Sequence, residues 1–237
     1  MPDSSVQYPA IPQKLWIYYK RLLTKNPRHK ILEAIKKQGY DKTWRGINDV
    51  FWHAIQATGM TSNKLYEEIG FEEKDLDDNN FQALLGRLRS INLLHEVGFQ
   101  ELRPLRPKRS QKEVDLLGRF GKKLFAIEVI RSSEKKYSYP DHEKPSANSI
   151  TYIVGRYLEK RPQLDSSIKN HTCDAGLLVV IMDSQPFKAW VPTEELIQVT
   201  KDAFLKMGNP AKTYLAIFTG MANEEGKNEF AIYPLLN

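Results

Sequence analysis

Several things are scarce in this sequence, and each scarcity excludes something. One cysteine, Cys173, occurs in 237 residues, which rules out an internal disulfide and a cysteine-rich metal site. The five histidines (His29, His53, His95, His142 and His171) are scattered, without the Cys/His spacing of a zinc site. Long apolar runs are missing too. The longest, Ala175 to Met182, is under half of the roughly 20 residues that a membrane helix needs. The opening MPDSSVQYPAIPQ lacks the basic and apolar regions of a secretory leader, so the expected compartment is the cytoplasm, with no membrane partner. No internal repeat or low-complexity tract occurs. What is present is 41% hydrophobic residues, enough for a core, and 35 Lys+Arg against 29 Asp+Glu. The net charge of +6 is a mild pointer to an anionic partner such as nucleic acid.

Apolar spacing predicts helices over 14–23, 29–37, 48–58 (with Asn48 as N-cap) and 61–69 (with Thr61 as N-cap). The acidic stretch Glu72 to Asn80 reads as a boundary between a helical N-terminal region, 1–78, and an α/β region, 79–237. In the second region a helix over 80–97 precedes three strands, 101–106, 112–120 and 123–131, joined by short loops and hence antiparallel. A polar loop, 132–145, leads to a helix over 147–159 and a strand over 175–183, apolar on both faces and therefore interior. A short strand at Trp190 and Val191, a helix over 193–206 and strands over 212–219 and 229–233 complete the chain. The expected fold class is α/β, with a mixed sheet and helices on its faces.

Two carboxylates stand out in the strands. Asp115 sits among Val114, Leu116 and Leu117, and Glu128 sits inside Leu124 to Ile130. A buried carboxylate without a partner is costly. With Phe120-Gly121 as a two-residue turn, Asp115 and Glu128 share one sheet face as diagonal neighbours, and Glu113 faces Glu128 directly. A divalent cation relieves three acids on one patch, and oxygen donors suit Mg²⁺ or Mn²⁺. A slip of one residue would separate Asp115 from Glu128. The plain alternative is a sheet edge whose acids are solvated or paired with nearby Arg and Lys.

The stretch Glu113-Val114-Asp115-Leu116-Leu117, a short turn, then Leu124-Phe125-Ala126-Ile127-Glu128-Val129-Ile130-Arg131-Ser132 resembles the core of PD-(D/E)XK nucleases, especially their small resolvase-like members. The resemblance spans about residues 80–185 and implies an order of helix, three antiparallel strands, helix and strand. It makes Asp115 and Glu128 metal ligands, with the Val129 carbonyl as a third and Glu113 in support. It implies a Mg²⁺- or Mn²⁺-dependent endonuclease hydrolysing phosphodiester bonds. Two departures stand against this. The family's lysine, two residues after the second acid, is Ile130 here. The acid of the first helix falls near Gln82 or Gly86. Arg131 is the adjacent cation, but on an ideal strand it points to the opposite face. Lys112, Lys123 and Lys135 are the other cations in reach of the hairpin.

Arg103, Arg106, Lys108, Arg109 and Lys112 form a basic strip with no acid among them, suited to phosphate contact. The loop from Glu134 to Tyr139 mixes bases with aromatics that can stack on nucleobases. Ala57 to Tyr66 resembles the turn and second helix of helix-turn-helix proteins, with Thr61, Ser62, Asn63 and Lys64 at the recognition end. Glu67, Glu68, Glu72 and Glu73 repel phosphate there, and a plain helical hairpin is the alternative. Trp16, Tyr18, Tyr19, Phe51 and Trp52 read as core aromatics. The expected partner is DNA, duplex or branched, and a homodimer or larger assembly stays open. Three readings compete: a metal-dependent DNA endonuclease; a non-catalytic nucleic-acid-binding or assembly protein on a decayed nuclease core, which Ile130 favours; and an interaction protein with no nucleic-acid role, for which the +6 charge is incidental.

Overall fold

We describe the protein through a computed structural model over residues 7–106, 113–132, 146–182, 193–222 and 228–236. Its described residues form seven helices and six strands: α1 Gln13–Lys25, α2 Lys30–Gln38, α3 Tyr40–Thr58, α4 Ser62–Ile69, α5 Asp78–Glu96, β1 Gln100–Pro104, β2 Leu116–Phe120, β3 Lys123–Ser132, α6 Ser146–Asn170, β4 Ala175–Met182, α7 Thr193–Lys206, β5 Thr213–Ala222 and β6 Asn228–Tyr233. The protein is thus a mixed α/β chain. No described helix is long and apolar enough to cross a membrane. The expected strand at Trp190 and Val191 lies outside the described residues.

The chain divides into two compact units, Met1–Arg106 and Pro107–Asn237, rather than at residue 78. Composition made the acidic stretch look like a linker, but it is a loop tied down on both sides. Asn80 Nδ2 donates to the carbonyls of Glu72 and Asp75, Arg21 to that of Glu73, and Asn26 to that of Leu76. Helix α5 consequently packs with α3 in the first unit.

Local signals start and stop the helices of that unit. The Thr61 hydroxyl accepts from the Lys64 N–H at 3.3 Å to open α4, and the Asp77 carboxylate accepts from the Asn79 N–H at 2.7 Å to open α5. Gly59 and Gly70 end α3 and α4 in the left-handed region, at φ 65° and 72°. Helix α3 starts at Tyr40, not Asn48. Asn48 lies inside it, and its side-chain oxygen accepts from the Ala10 N–H at 3.0 Å, so a good capping residue serves a tertiary contact instead. The core is aromatic: Trp44 stands 4.2 Å from Trp16 and 5.0 Å from Tyr19, ring centre to ring centre. Tyr18 and Phe51 are fully buried, but Trp52 is 49% exposed, the one aromatic expected inside that is not.

In the second unit strands β2 to β6 lie side by side in chain order. β2 and β3 are antiparallel, β3, β4 and β5 run parallel, and β6 returns antiparallel to β5. Helices α6 and α7 make the crossovers that parallel neighbours require; they pack on each other and on the sheet. β4 is buried from Ala175 to Ile181, as an interior strand should be. The β2–β3 turn falls at Gly121-Lys122, with Phe120 opposite Lys123, not at Phe120-Gly121. Gly121 has φ 56°, and a two-residue hairpin loop wants that conformation at its first position. Helix α6 runs to Asn170 with Pro162 inside it, well past the expected end at Glu159.

Candidate functional site around Glu128

The corrected turn shifts the hairpin pairing by two residues in sum, so the parity survives. Leu116 pairs with Ile127 at the end of the ladder, and Asp115 is the residue just before β2. One Asp115 oxygen, Oδ2, accepts from the Val129 N–H at 3.0 Å. Beyond the end of β2, this side chain thus supplies a β3 amide with the acceptor that a strand backbone would otherwise provide.

Glu128 is 1% exposed, and helix α6 makes that burial tolerable. The Lys160 ammonium stands 2.6 Å from Glu128 Oε1, with 27% of its side chain still exposed. The Gln163 amide donates to Glu128 Oε2 at 3.0 Å and to the carbonyl of Glu113. Ser167 Oγ accepts from the Val114 N–H at 3.1 Å, and His171 Nε2 lies 4.0 Å from Glu113 Oε1. Lys160, Gln163, Ser167 and His171 recur at helical spacing, so one stripe of α6 and its end holds both the 113–115 segment and Glu128. An ammonium and an amide N–H₂, one on each oxygen, suit a carboxylate rather than a carboxylic acid.

Among the described residues the three acids are not arranged as a metal-holding group. Residue 113 precedes β2, and Glu113 Oε1 lies 4.0 Å from His171 Nε2. Ile130 is buried at 2% exposure, so the position that would carry the motif lysine serves packing. Lys123 sits at the turn, where its ammonium meets the Tyr214 hydroxyl at 3.3 Å, away from the acids. Arg131 pairs through its backbone position with Ile181 on β4; its side chain, together with Lys108, Arg109, Lys112 and Lys135, lies outside the described residues.

The donors near Glu128 are the carboxylates of Asp115 and Glu128 and the Val129 carbonyl, all hard oxygens. Among the described residues no group of three or more His, Cys, Asp or Glu side chains is arranged to hold a metal ion. Two carboxylates still fit Mg²⁺, which usually keeps several waters and completes its shell with phosphate oxygens. Such an ion would have to share Glu128 with Lys160.

In the first unit, Arg103, Arg106 and Lys64 are exposed. The start of α4 is used internally: Ser62 Oγ donates to the Ala10 carbonyl at 2.6 Å, and Glu67 pairs with Lys14 at 3.0 Å.

The buried histidine of this unit is His29. Its Nδ1 accepts from the Ile31 N–H at 3.2 Å, so in neutral form Nε2 carries the proton, between the Tyr18 hydroxyl at 3.2 Å and Asp78 Oδ1 at 3.3 Å. Burial holds His29 below the usual histidine range and outweighs the opposing pull of Asp78.

No protein-family model matches this chain, nor does any curated protein or any solved structure.

Proposed function

We propose that the second unit is a metal-dependent nuclease core that hydrolyses DNA phosphodiester bonds. The observation that carries this reading is the buried Glu128, met by the Lys160 ammonium at 2.6 Å. The Asp115 carboxylate meets the amide of the next residue, Val129, at 3.0 Å, and the cation comes from α6 and not from β3. Within that unit the run β2, β3, α6, β4, with β2 and β3 antiparallel and β3 and β4 parallel, supports it, because the hairpin motif implies an antiparallel hairpin followed by a helix and a strand.

Asp115, Glu128 and the Val129 carbonyl would hold Mg²⁺ or Mn²⁺. The ion, when bound, supplies charge stabilisation and an activated water. The chain's own residues do the rest. The Val129 N–H fixes the Asp115 carboxylate, and Gln163 fixes Glu128 while anchoring Glu113 through its carbonyl. Lys160 is a compact charge on a flexible stem, partly open to solvent, and serves to stabilise negative charge on a phosphate that enters. Ile130 does neither task, and Lys160 answers for its missing ammonium.

One observation favours the second reading, a nucleic-acid-binding protein that does not cut: both Glu128 oxygens already accept from protein groups, so the fold needs no metal to stabilise that carboxylate. The test is cleavage of duplex, branched and single-stranded DNA with Mg²⁺ or Mn²⁺, comparing wild type with Asp115→Ala and Glu128→Ala. Metal-dependent cutting lost in both variants is expected. No cutting on any substrate removes the enzyme reading. Salt-sensitive binding that persists in both variants then supports the second.

A further inference from the structure

The first unit carries a groove that neither the hairpin nor the expected recognition helix accounts for. Three helices line it at helical spacing: α2 with Lys30, Ala34 and Gln38, α3 with Lys42, Gly46 and Val50, and α5 with Gln82, Leu85 and Arg89. Its volume is about 290 Å³, near the lower end for small-molecule sites and far too small for a duplex. Its chemistry is one-sided. Lys30, Lys42 and Arg89 bring three positive charges, and no carboxylate lines it. The carboxylate beside the lining is Asp78, whose Oδ1 accepts from the Lys30 backbone N–H at 2.7 Å and lies 3.3 Å from His29 Nε2. The floor is apolar, with Ala34, Val50 and Leu85 half-buried over the buried Ile31, Ile47 and Phe81. Gln38 and Gln82 add amide groups, the Gln38 amide already donating to Thr43 Oγ1 at 3.1 Å.

An occupant should therefore be anionic at one end, weakly polar at the other, and about the size of one nucleotide. We propose that this groove binds a nucleotide through its phosphate and base. Lys30, Lys42 and Arg89 meet the phosphate, the floor meets the base face, and the two glutamines meet its edge. The nucleotide comes either as a free nucleoside phosphate or as one unit of an unpaired strand. Binding here does not depend on whether the second unit cuts.

Gly46 makes the test clean. A Cβ built there meets nothing within 4 Å, and α3 gains helix propensity when glycine is replaced. Gly46→Leu thus adds an apolar side chain at the groove lining from a position where the Cβ itself meets nothing. The full chain, Gly46→Leu and the triple variant Lys30→Gln/Lys42→Gln/Arg89→Gln are titrated against a fluorescein-labelled single-stranded 12-mer by anisotropy, at several salt concentrations without divalent metal. Circular dichroism confirms the fold of each.

Both variants are expected to bind at least tenfold more weakly than wild type. Only the triple variant should flatten the dependence of log K on log salt, by about 0.7 for the one phosphate that the groove neutralises on a single strand. Adenosine monophosphate is then used as competitor. Displacement of the 12-mer assigns the groove to free nucleotides, and direct binding of the 12-mer without displacement assigns it to a strand. Wild type that binds neither probe, or folded variants that both bind like wild type, overturns the proposal. Because metal is absent, this outcome is separate from any failure of cleavage.

Discussion

Each unit buries one group that water would normally keep. Among the described residues the first buries the only fully enclosed histidine, His29 at 0% exposure, and the second the only fully enclosed carboxylate, Glu128 at 1%. They are treated in opposite ways. His29 is kept neutral: one ring nitrogen caps α2 and the other meets Tyr18 and Asp78. Glu128 is kept charged, by an ammonium whose side chain still reaches water. A neutral, internally satisfied group is what a fold needs to hold helices together. A buried charge costs several kcal/mol in desolvation even when paired, and hydrophobic residues of the same volume are often as good or better. That difference is why we place chemistry at Glu128 and structure at His29.

The largest effect that tests the contrast is on activity. Glu128→Gln keeps the size and one oxygen but removes the charge, and we expect metal-dependent cleavage to fall to background in a plasmid assay. Its fold should survive, since Lys160 can turn its ammonium to water. A variant that cuts at the wild-type rate would put the chemistry elsewhere.

Next in size is an asymmetry between the partners of the ion pair. Lys160→Met leaves the carboxylate buried without its cation, a change that typically costs about 3–5 kcal/mol. Urea unfolding of Lys160→Met should therefore show a greater loss than Glu128→Gln. Mn²⁺ should raise the Tm of Lys160→Met more than that of wild type, because the ion takes the place of the ammonium. Equal stability losses, or no response to Mn²⁺, would mean that Glu128 is not the charged centre described.

His29 gives a pH effect in the other unit. Its folded pKa is lowered by burial, against the pull of Asp78, Asp77 and Glu33. A lowered pKa means that the unfolded chain takes up a proton first, so its contribution is complete above the unfolded value of about 6.5 and is lost as pH falls toward the folded one. Protonation would also set an N–H against that of Ile31. The urea midpoint, followed by fluorescence of the buried Trp16 and Trp44, should fall below that pH in wild type. It should fall less in His29→Asn, whose side-chain oxygen keeps a cap. Equal pH profiles would contradict the neutral assignment.

How much of this was readable beforehand depended on which signal each residue carries. The strands of the second unit were legible because β3 and β4 are apolar on both sides. The pairing parity of β2 and β3 survived a misplaced turn, because an even shift preserves the alternation of a strand. Lys160 and Gln163 were missed for a definite reason. The helix was expected to stop at Glu159, with Pro162 just beyond, and proline normally breaks a helix interior. Here α6 continues through an exposed Pro162, and the residues that hold Glu128 lie in the turns beyond the expected end. Their polar stripe also looks like a solvent face until the 113–115 segment covers it. The division of the chain was misread likewise, because an acidic loop and a linker share a composition and differ only in their hydrogen bonds.

The smallest expected effect separates the units by how their glycines are used. Gly46 is exposed inside α3, and an added Cβ meets open space. Gly46→Ala should therefore stabilise the first unit by about 0.5–1 kcal/mol, the usual cost of glycine in a helix. Gly176 lies on buried β4, and a Cβ there would come within 3.2 Å of Ile168 Cδ1 and 3.3 Å of Leu164 Cδ2, both on α6. Leu164 is 1% exposed, so it has little room to yield, and Gly176→Ala should destabilise the second unit. The same substitution also presses on the helix that carries Lys160 and Gln163, so a folded Gly176→Ala should lose cleavage out of proportion to its loss of stability. A variant that loses stability but keeps full activity would show that the distance of α6 from β4 does not set the position of Lys160.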